Sequence, residues 1–174
     1  MYILGDIGNS DTKIFLVNKN DVILKRVNLP TKNINNQNFD KKIKYLINDM
    51  KKIKKILFCS VVPKSFKLIK KYFSKKTKTK CLEVKNLDLK SLIKIKVNYK
   101  QVGSDRLVNA ISLQNNKHNF IILDFGTATT FDVVKKKDYR GGIIAPGVKI
   151  SLDTLSDKAS LIPQINLKST KNIV

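Results

Sequence analysis

The chain of 174 residues is 42% hydrophobic and 28% charged, enough to bury a core in one globular domain or two small ones, which excludes gross disorder and a disulfide-stapled miniprotein. Its formal charge of +22, from 35 basic residues against 13 acids, points first to nucleic acid or an anionic membrane surface. The make-up of that charge argues against both. Arg26, Arg106 and Arg140 are the only arginines, and Lys, Ile and Asn together supply 70 of the 174 residues, an excess typical of A/T-rich coding. Selection for phosphate or base readout favours the planar fork of Arg.

In chain order, Tyr2 to Ile7 is expected as a buried strand, Lys13 to Val17 as a second and Asp21 to Val27 as a third, with Asn18-Lys19-Asn20 as turn residues between the last two. Phe39, Ile43, Leu46, Ile47, Met50 and Ile53 then recur at helical spacing, with lysines filling the other side. Ile56 to Val62 is an apolar strand. Pro63 suits the first turn of a helix whose apolar stripe is Phe66, Ile69 and Phe73. Twenty lysines lie between residues 41 and 100, mostly opposite such stripes, as on a solvated outer face. A helix follows from about Ser104 through Leu113, then strands at Asn119 to Asp124, Thr129 to Val134 and Tyr139 to Ala145, and a helix from about Gly147 to Ser160.

Two cysteines, Cys59 and Cys81, and one histidine, His118, cannot assemble a structural zinc site or a disulfide framework. The N-terminal stretch has no basic leader, and no apolar run approaches the roughly 18 residues of a membrane span. The expectation is a cytoplasmic protein without membrane or nucleic-acid partners.

A strand-turn-strand-strand pattern thus occurs twice, and each copy opens with an apolar strand ending in Asp-x-Gly: Asp6-Ile7-Gly8-Asn9-Ser10 and Asp124-Phe125-Gly126-Thr127. Such a turn presents a carboxylate for a hydrated cation, a glycine for close backbone approach, and amide and hydroxyl donors for phosphate oxygens. Lys13, opening the next strand, can neutralise one of those oxygens. One such turn is an ordinary hairpin; two at equivalent places fit a phosphate chain gripped between two lobes. Beside them, Ser104 is placed to cap the helix that holds Asp105 and Arg106 in its first turn. Asp105 can take a proton from a substrate hydroxyl and Arg106 can hold an anion; the alternative is a capped helix with an exposed ion pair. Gly141-Gly142-Ile143-Ile144-Ala145-Pro146-Gly147 suits a wall approached by ligand, or a glycine-rich turn with none.

DIGNSDTK, GSDRLVNA, DFGTATTFD and GGIIAPGVKISLDTL, in this order, resemble type III pantothenate kinase, of the actin/Hsp70/sugar-kinase superfamily. The resemblance implies an α/β fold of two ribonuclease-H-like (actin-like ATPase) domains around a cleft, here residues 1–117 and 118–174. It implies ATP-dependent phosphorylation of pantothenate, the first step of coenzyme A biosynthesis. ATP phosphates would lie on Asp6, Ile7, Gly8, Asn9, Ser10, Asp11, Thr12, Lys13 and Thr127. Mg2+ would be bound through water by Asp6, and a monovalent cation, K+ or NH4+, by Asp124. Pantothenate would lie on Gly103, Ser104, Asp105 and Arg106, with Asp105 as the catalytic base, Arg106 near the carboxylate and Tyr99 as the pocket tyrosine. The resemblance also implies a homodimer for the full-length family.

Three departures accompany the resemblance. Ser10 stands where threonine is usual, and the link from Tyr99 to GSDR is short. The family pattern also continues through a Gly-Lys-Asn-Thr segment, whereas this sequence ends at Lys171-Asn172-Ile173-Val174, so the expectation is an incomplete second domain and a chain with little activity. Two other readings are weighed: a catalytically silent regulatory relative of the Bvg accessory factor type, and a basic nucleic-acid-binding protein. The latter would need aromatics interleaved with the lysines, and Phe66 and Phe73 fall on the apolar stripes instead.

Overall fold

A computed structural model describes residues 1–165; Lys171 to Val174, and with them the expected stopping point ahead of the family's next segment, lie outside the described residues. The chain forms two sheets. Strands β1 (Tyr2–Ile7), β2 (Asp11–Val17) and β3 (Ile23–Pro30) make an antiparallel meander; helix α1 (Asn36–Leu46), strand β4 (Lys55–Ser60), helix α2 (Pro63–Lys76) and strand β5 (Cys81–Glu83) follow. The first sheet has the order β3-β2-β1-β4-β5, with β4 parallel to β1 and β5 parallel to β4. A short strand β6 (Lys94–Ile95) and helix α3 (Ser104–Leu113) lead to a second meander, β7 (Asn119–Phe125), β8 (Ala128–Lys135) and β9 (Asp138–Pro146), closed by helix α4 (Val148–Lys158). The second sheet runs β6-β9-β8-β7, so β7, β8 and β9 repeat the arrangement of β1, β2 and β3.

The local chemistry explains most boundaries. Asn35 caps α1, its side chain accepting the Asn38 amide, and Pro63 begins α2, where its missing N–H costs nothing. The helical stripe expected to run to Ile53 stops at Leu46. Asp49 accepts the Lys51 amide and sets up a separate 3-10 turn, Met50–Lys52, that delivers Ile53 to the core by another route. Strand β3 starts at Ile23, after a turn in which the Asn18 side chain accepts the amides of Asn20 and Val22. Strand β4 ends at Ser60, two residues before the expected end at Val62, where the Val62 amide donates to the Ser60 hydroxyl oxygen at 3.2 Å and Pro63 opens α2.

The first core joins Ile3, Ile7, Ile14 and Phe58 of the sheet to Phe39 and Ile43 of α1 and to Ile69 and Phe73 of α2, each under 3% exposed. Each such side chain contributes about 1.5–3 kcal/mol on burial. A second core combines Val84, Leu89, Ile93 and Val102 with Leu107 and Ala110 of α3 and with Val134 and Tyr139 of the second sheet. Helix α3 therefore bridges the sheets, contacting β4 of the first and β7 and β8 of the second. The opposite face of the second sheet is apolar and open: Ile121, Leu123, Phe125 and Ile143 share it by register and are 49–69% exposed. Among the described residues no helix is long and apolar enough to cross a membrane.

Candidate active site

The first Asp-x-Gly turn forms the tip between β1 and β2. The Gly8 amide donates to the Asp11 carbonyl at 3.0 Å, closing the turn, and antiparallel register sets Lys13 directly across from Asp6. The turn is braced from behind by Thr31, which sequence reasoning missed. Its amide donates to the Ser10 carbonyl at 2.8 Å, its hydroxyl donates to the Gly8 carbonyl at 2.7 Å, and it pairs with the buried Thr12 hydroxyl at 2.9 Å. Thr12 thus serves the hairpin's interior, while Asn9, Ser10, Asp11 and Lys13 are exposed around the tip. Ile7 is fully buried and offers only its backbone, and its carbonyl already accepts the Val61 amide at 3.1 Å.

The second turn closes when the Gly126 amide donates to the Ala128 carbonyl at 3.0 Å. It abuts the start of α4, where the Gly147 amide donates to the Thr127 carbonyl at 3.1 Å. The two hairpins meet: the hydroxyls of Ser10 and Thr127, 117 residues apart, lie 2.7 Å from each other. This contact brings the two motif tips into one cleft.

Register brings α3 to the same place. Asp6 and Ile7 pair with Cys59 and Ser60 of β4, and Ser60 is bound from both sides by Ser104: the Ser104 hydroxyl donates to its carbonyl at 2.9 Å and accepts its amide at 2.8 Å. The expected capping role of Ser104 is therefore corrected. Gly103 is the N-cap, and the fully buried Ser104 spends its hydroxyl on tying the helix to the end of β4. Asp105 follows in the first turn, its carboxylate accepting the Arg106 amide at 2.8 Å. Asp124, exposed at the end of β7, accepts from the Asn109 side chain at 3.4 Å.

These placements bring Asp6, Lys13, Asp105 and Asp124 within electrostatic reach. Burial pushes the Asp6 carboxyl above its ordinary value; Lys13 opposes this, and the charges of Asp105 and Asp124 add to it. Three carboxylates against one ammonium form a cleft short of positive charge. Among the described residues no three acidic, histidine or cysteine side chains stand close enough to ligate one ion directly. The carboxylate oxygens of Asp6 and Asp124 are the hard donors that Mg2+ and alkali cations take, Mg2+ commonly keeping several of its own waters.

Arg106 points elsewhere. It is 9% exposed, and its guanidinium donates to Asp132 of β8 through Nε (2.9 and 3.0 Å) and Nη2 (2.6 Å). Tyr139 donates its hydroxyl to the same Asp132 oxygen at 2.6 Å. The ion pair considered for Asp105 and Arg106 is replaced by a buried one to the second sheet. Asp132 was missed by sequence reasoning although its signal was present: an acid inside an apolar strand, with only three arginines in the chain to answer it. Tyr99 stands in a 3-10 turn before Gly103, its hydroxyl donating to the Lys85 carbonyl at 2.8 Å, and Lys85 in turn donates to the Val102 carbonyl at 2.9 Å. That lattice holds the short link to α3. The lysine-lined groove between α1 and α2, with Asp40, Lys71, Lys75 and Lys76 around Tyr72, is a separate surface of the first sheet's helices.

Comparison with known proteins places these features. A type III pantothenate kinase from Pelagibacter ubique is 63% identical over the whole chain, which spans 70% of that protein. Two solved structures share the fold at low identity. One, described as a Baf family transcriptional activator from Campylobacter jejuni, has a TM-score of 0.55 at 20% identity, covering 98% of this chain and 68% of that one. The other, described as a 2-dehydro-3-deoxygalactonokinase from Sinorhizobium meliloti, has a TM-score of 0.53 at 9% identity, covering 91% of this chain and 58% of that one. The duplicated α/β architecture is thus the actin-like one expected from the motifs. The family model for type III pantothenate kinase matches residues 2–174, from β1 through both hairpins and beyond α4, and with that match the chain belongs to the type III pantothenate kinase family.

Proposed function

We propose that this chain transfers the γ-phosphoryl group of ATP to the primary hydroxyl of pantothenate, giving 4'-phosphopantothenate. The observation that carries the reading is the meeting of Ser10 and Thr127, because a phosphate chain placed where the two hydroxyls converge would be held by both lobes at once. The first hairpin, Asp6 to Lys13, and Thr127 of the second bind the phosphates. Lys13 supplies positive charge at the first tip, and the start of α4 supplies unpaired amides at the second.

Asp105 orients the substrate hydroxyl and takes its proton late, since a loose transition state asks little of its base. Gly103, Ser104, Arg106 and Tyr99 form the surrounding wall, in which Ser104 and Arg106 act by holding α3 in place. Mg2+ bound through water near Asp6, with K+ or NH4+ near Asp124, would neutralise the charge that ATP adds to this acidic cleft; the raised Asp6 carboxyl supports a cation there. The division into lobes 1–117 and 118–174, a homodimer and a cytoplasmic location belong to the same proposal. The uncovered row of Ile121, Leu123, Phe125 and Ile143 supports a protein partner on the second sheet. Regulation without catalysis is not favoured, since each carboxylate the transfer needs is present and gathered in the cleft.

Phosphorylation of pantothenate with Mg2+ and K+ present, measured alongside ATP titration, tests the assignment. Asp105→Asn is expected to lower kcat by about 10²–10⁴-fold while ATP affinity changes little, because the loss falls on the reacting oxygen. Turnover near that of the parent in this variant refutes it.

A further inference from the structure

We infer that Asp132 is a positioning residue for the phosphoryl transfer: from the second sheet it clamps the Arg106 side chain and so fixes the first turn of α3 with the Asp105 carboxylate exposed to substrate. The inference rests on the reading of Asp105 as the base. Its geometry is independent of that reading. Asp132 is 1% exposed and accepts from Nε and Nη2 of one guanidinium and from the Tyr139 hydroxyl, so α3, β8 and β9 are joined at one carboxylate. Space for this is reserved: a Cβ on Gly142 would come within 2.9 Å of Arg106 Nη2 and would also meet the Phe131 carbonyl oxygen.

A buried ion pair adds little net stability compared with apolar packing, so its clearest physical contribution is orientation. Here orientation has an object. Arg106 adjoins Asp105 in sequence, and among the described residues Asp105 makes no ion pair. Asp105 already acts electrostatically on the Arg106 guanidinium, and a guanidinium released from Asp132 that paired there would occupy the oxygens that must accept the substrate proton. Asp132 therefore does two things through Arg106: it ties the base-bearing turn to the second lobe, and it keeps the arginine off the base.

Asp132→Asn keeps the shape and one acceptor and removes the charge. With three arginines in the chain, the Nε–H resonance of Arg106 is easily assigned, and amide exchange across α3 reports its first turn directly. The variant is expected to lose the protected Nε–H signal, to speed amide exchange at Asp105 and Arg106 selectively within α3, and to lose roughly 10–100-fold in kcat with the KM for ATP within about twofold. Tyr139→Phe, a gentler change, is expected to keep the signal and lose about two- to fivefold in kcat at unchanged KM for ATP. An unchanged kcat once the signal is gone overturns the inference, and so does a parallel fall of kcat, ATP affinity and melting temperature, the mark of a merely structural pair. If Asp132→Asn does not fold, an unchanged kcat in Tyr139→Phe is the overturning result. If neither the parent chain nor a version extended to its relatives' full length phosphorylates pantothenate, the proposed function fails, and first-turn exchange alone decides the positioning role: a selective rise upholds it and no change rejects it.

Discussion

Gly147 is the position where a single methyl group should report on the second phosphate hairpin. A Cβ built there lies 2.8 Å from the Thr127 carbonyl carbon and closer still to the carbonyl oxygens of Gly126 and Thr127, all backbone atoms that cannot swing aside. Ordinary contact begins at 3.4 Å, so the hairpin and the start of α4 must part by at least about 0.6 Å. Overpacking of this kind costs about 1–3 kcal/mol, and stretching the hydrogen bond from the Gly147 amide to the Thr127 carbonyl removes about 1 kcal/mol more. Against that, Ala restricts the unfolded chain and returns about 0.4–1 kcal/mol, while a poorer N-cap takes back a similar amount. The net loss is about 2–4 kcal/mol, or a fall in melting temperature of roughly 5–15 °C for a chain of this size. Because Thr127 moves with the hairpin, its contact with Ser10 opens and affinity for Mg-ATP should fall about tenfold. Gly126→Ala is the control. The nearest atom to its added Cβ is the Ala128 carbonyl oxygen at 3.5 Å, an ordinary contact, so stability should change by less than about 0.5 kcal/mol. Thermal melts and calorimetric ATP titration measure both. A Gly147→Ala protein that melts within about 2 °C of the parent and binds ATP equally well would refute the argument.

Thr31→Val keeps the side chain's shape but strands the Gly8 carbonyl and the buried Thr12 hydroxyl; it should cost about 1–3 kcal/mol by denaturant melt and loosen ATP binding through the first hairpin. Replacing K+ by Na+ should lower the rate in the parent, and Asp124→Ala should abolish the difference between the two ions; equal rates in both for the parent would remove the cation from Asp124. Burial pushes the thiols of Cys59 and Cys81 up to about 12, so neither should react readily with a thiol reagent at pH 8 until the chain is unfolded. The same groups set an alkaline limit. The folded chain keeps thiol protons that the unfolded chain releases near pH 9, so their contribution is complete below about pH 9 and is lost as pH rises toward 12. Tyr72 and Tyr139, also raised by burial and then by hydrogen bonds to Asp40 and Asp132, extend the loss further. A melting temperature that climbs between pH 9 and 11 would contradict this.

The two meanders and their Asp-x-Gly tips were legible because each strand is a short apolar run bounded by turn residues, a signal that needs no knowledge of the rest of the chain. The overrun of the first helix shows the limit of that signal. Ile47 and Ile53 are buried and Met50 packs against the same core, so the apolar spacing continued after the helix had ended. Ser104 shows a different limit. A serine at the head of a helix reads as a cap by local rules, but β4 offers it both a donor and an acceptor, and that competition is invisible before β4 and α3 are packed. The pair of Arg106 with Asp132 spans 26 residues and depends on α3 lying across β8, so residue types alone could not show what holds the Arg106 side chain. Strands β5 and β6 went unread because three and two residues are too few to carry a period.

The duplication reaches further into the site than the repeated motifs suggest, and it is asymmetric where charge matters. Strands β3 and β9 both end in proline, and in each copy the next residue donates its amide to the tip of its own hairpin: Thr31 to the Ser10 carbonyl, Gly147 to the Thr127 carbonyl. Ser10 and Thr127 are also the residues whose hydroxyls meet, so the site is built around equivalent positions of the two halves. The copies then diverge. After Thr31 the chain makes a 3-10 turn and α1 begins only at Asn36, whereas α4 begins immediately after Gly147. The first tip is thus braced by a threonine side chain and carries its positive charge on Lys13; the second is set against the start of α4, whose amides and dipole favour an anion and whose first turn also carries the exposed Lys149. A mobile charge on one side and a fixed dipole on the other would hold a polyphosphate from both ends while leaving the acidic edge of the cleft, Asp6, Asp105 and Asp124, to face cations and the attacking hydroxyl.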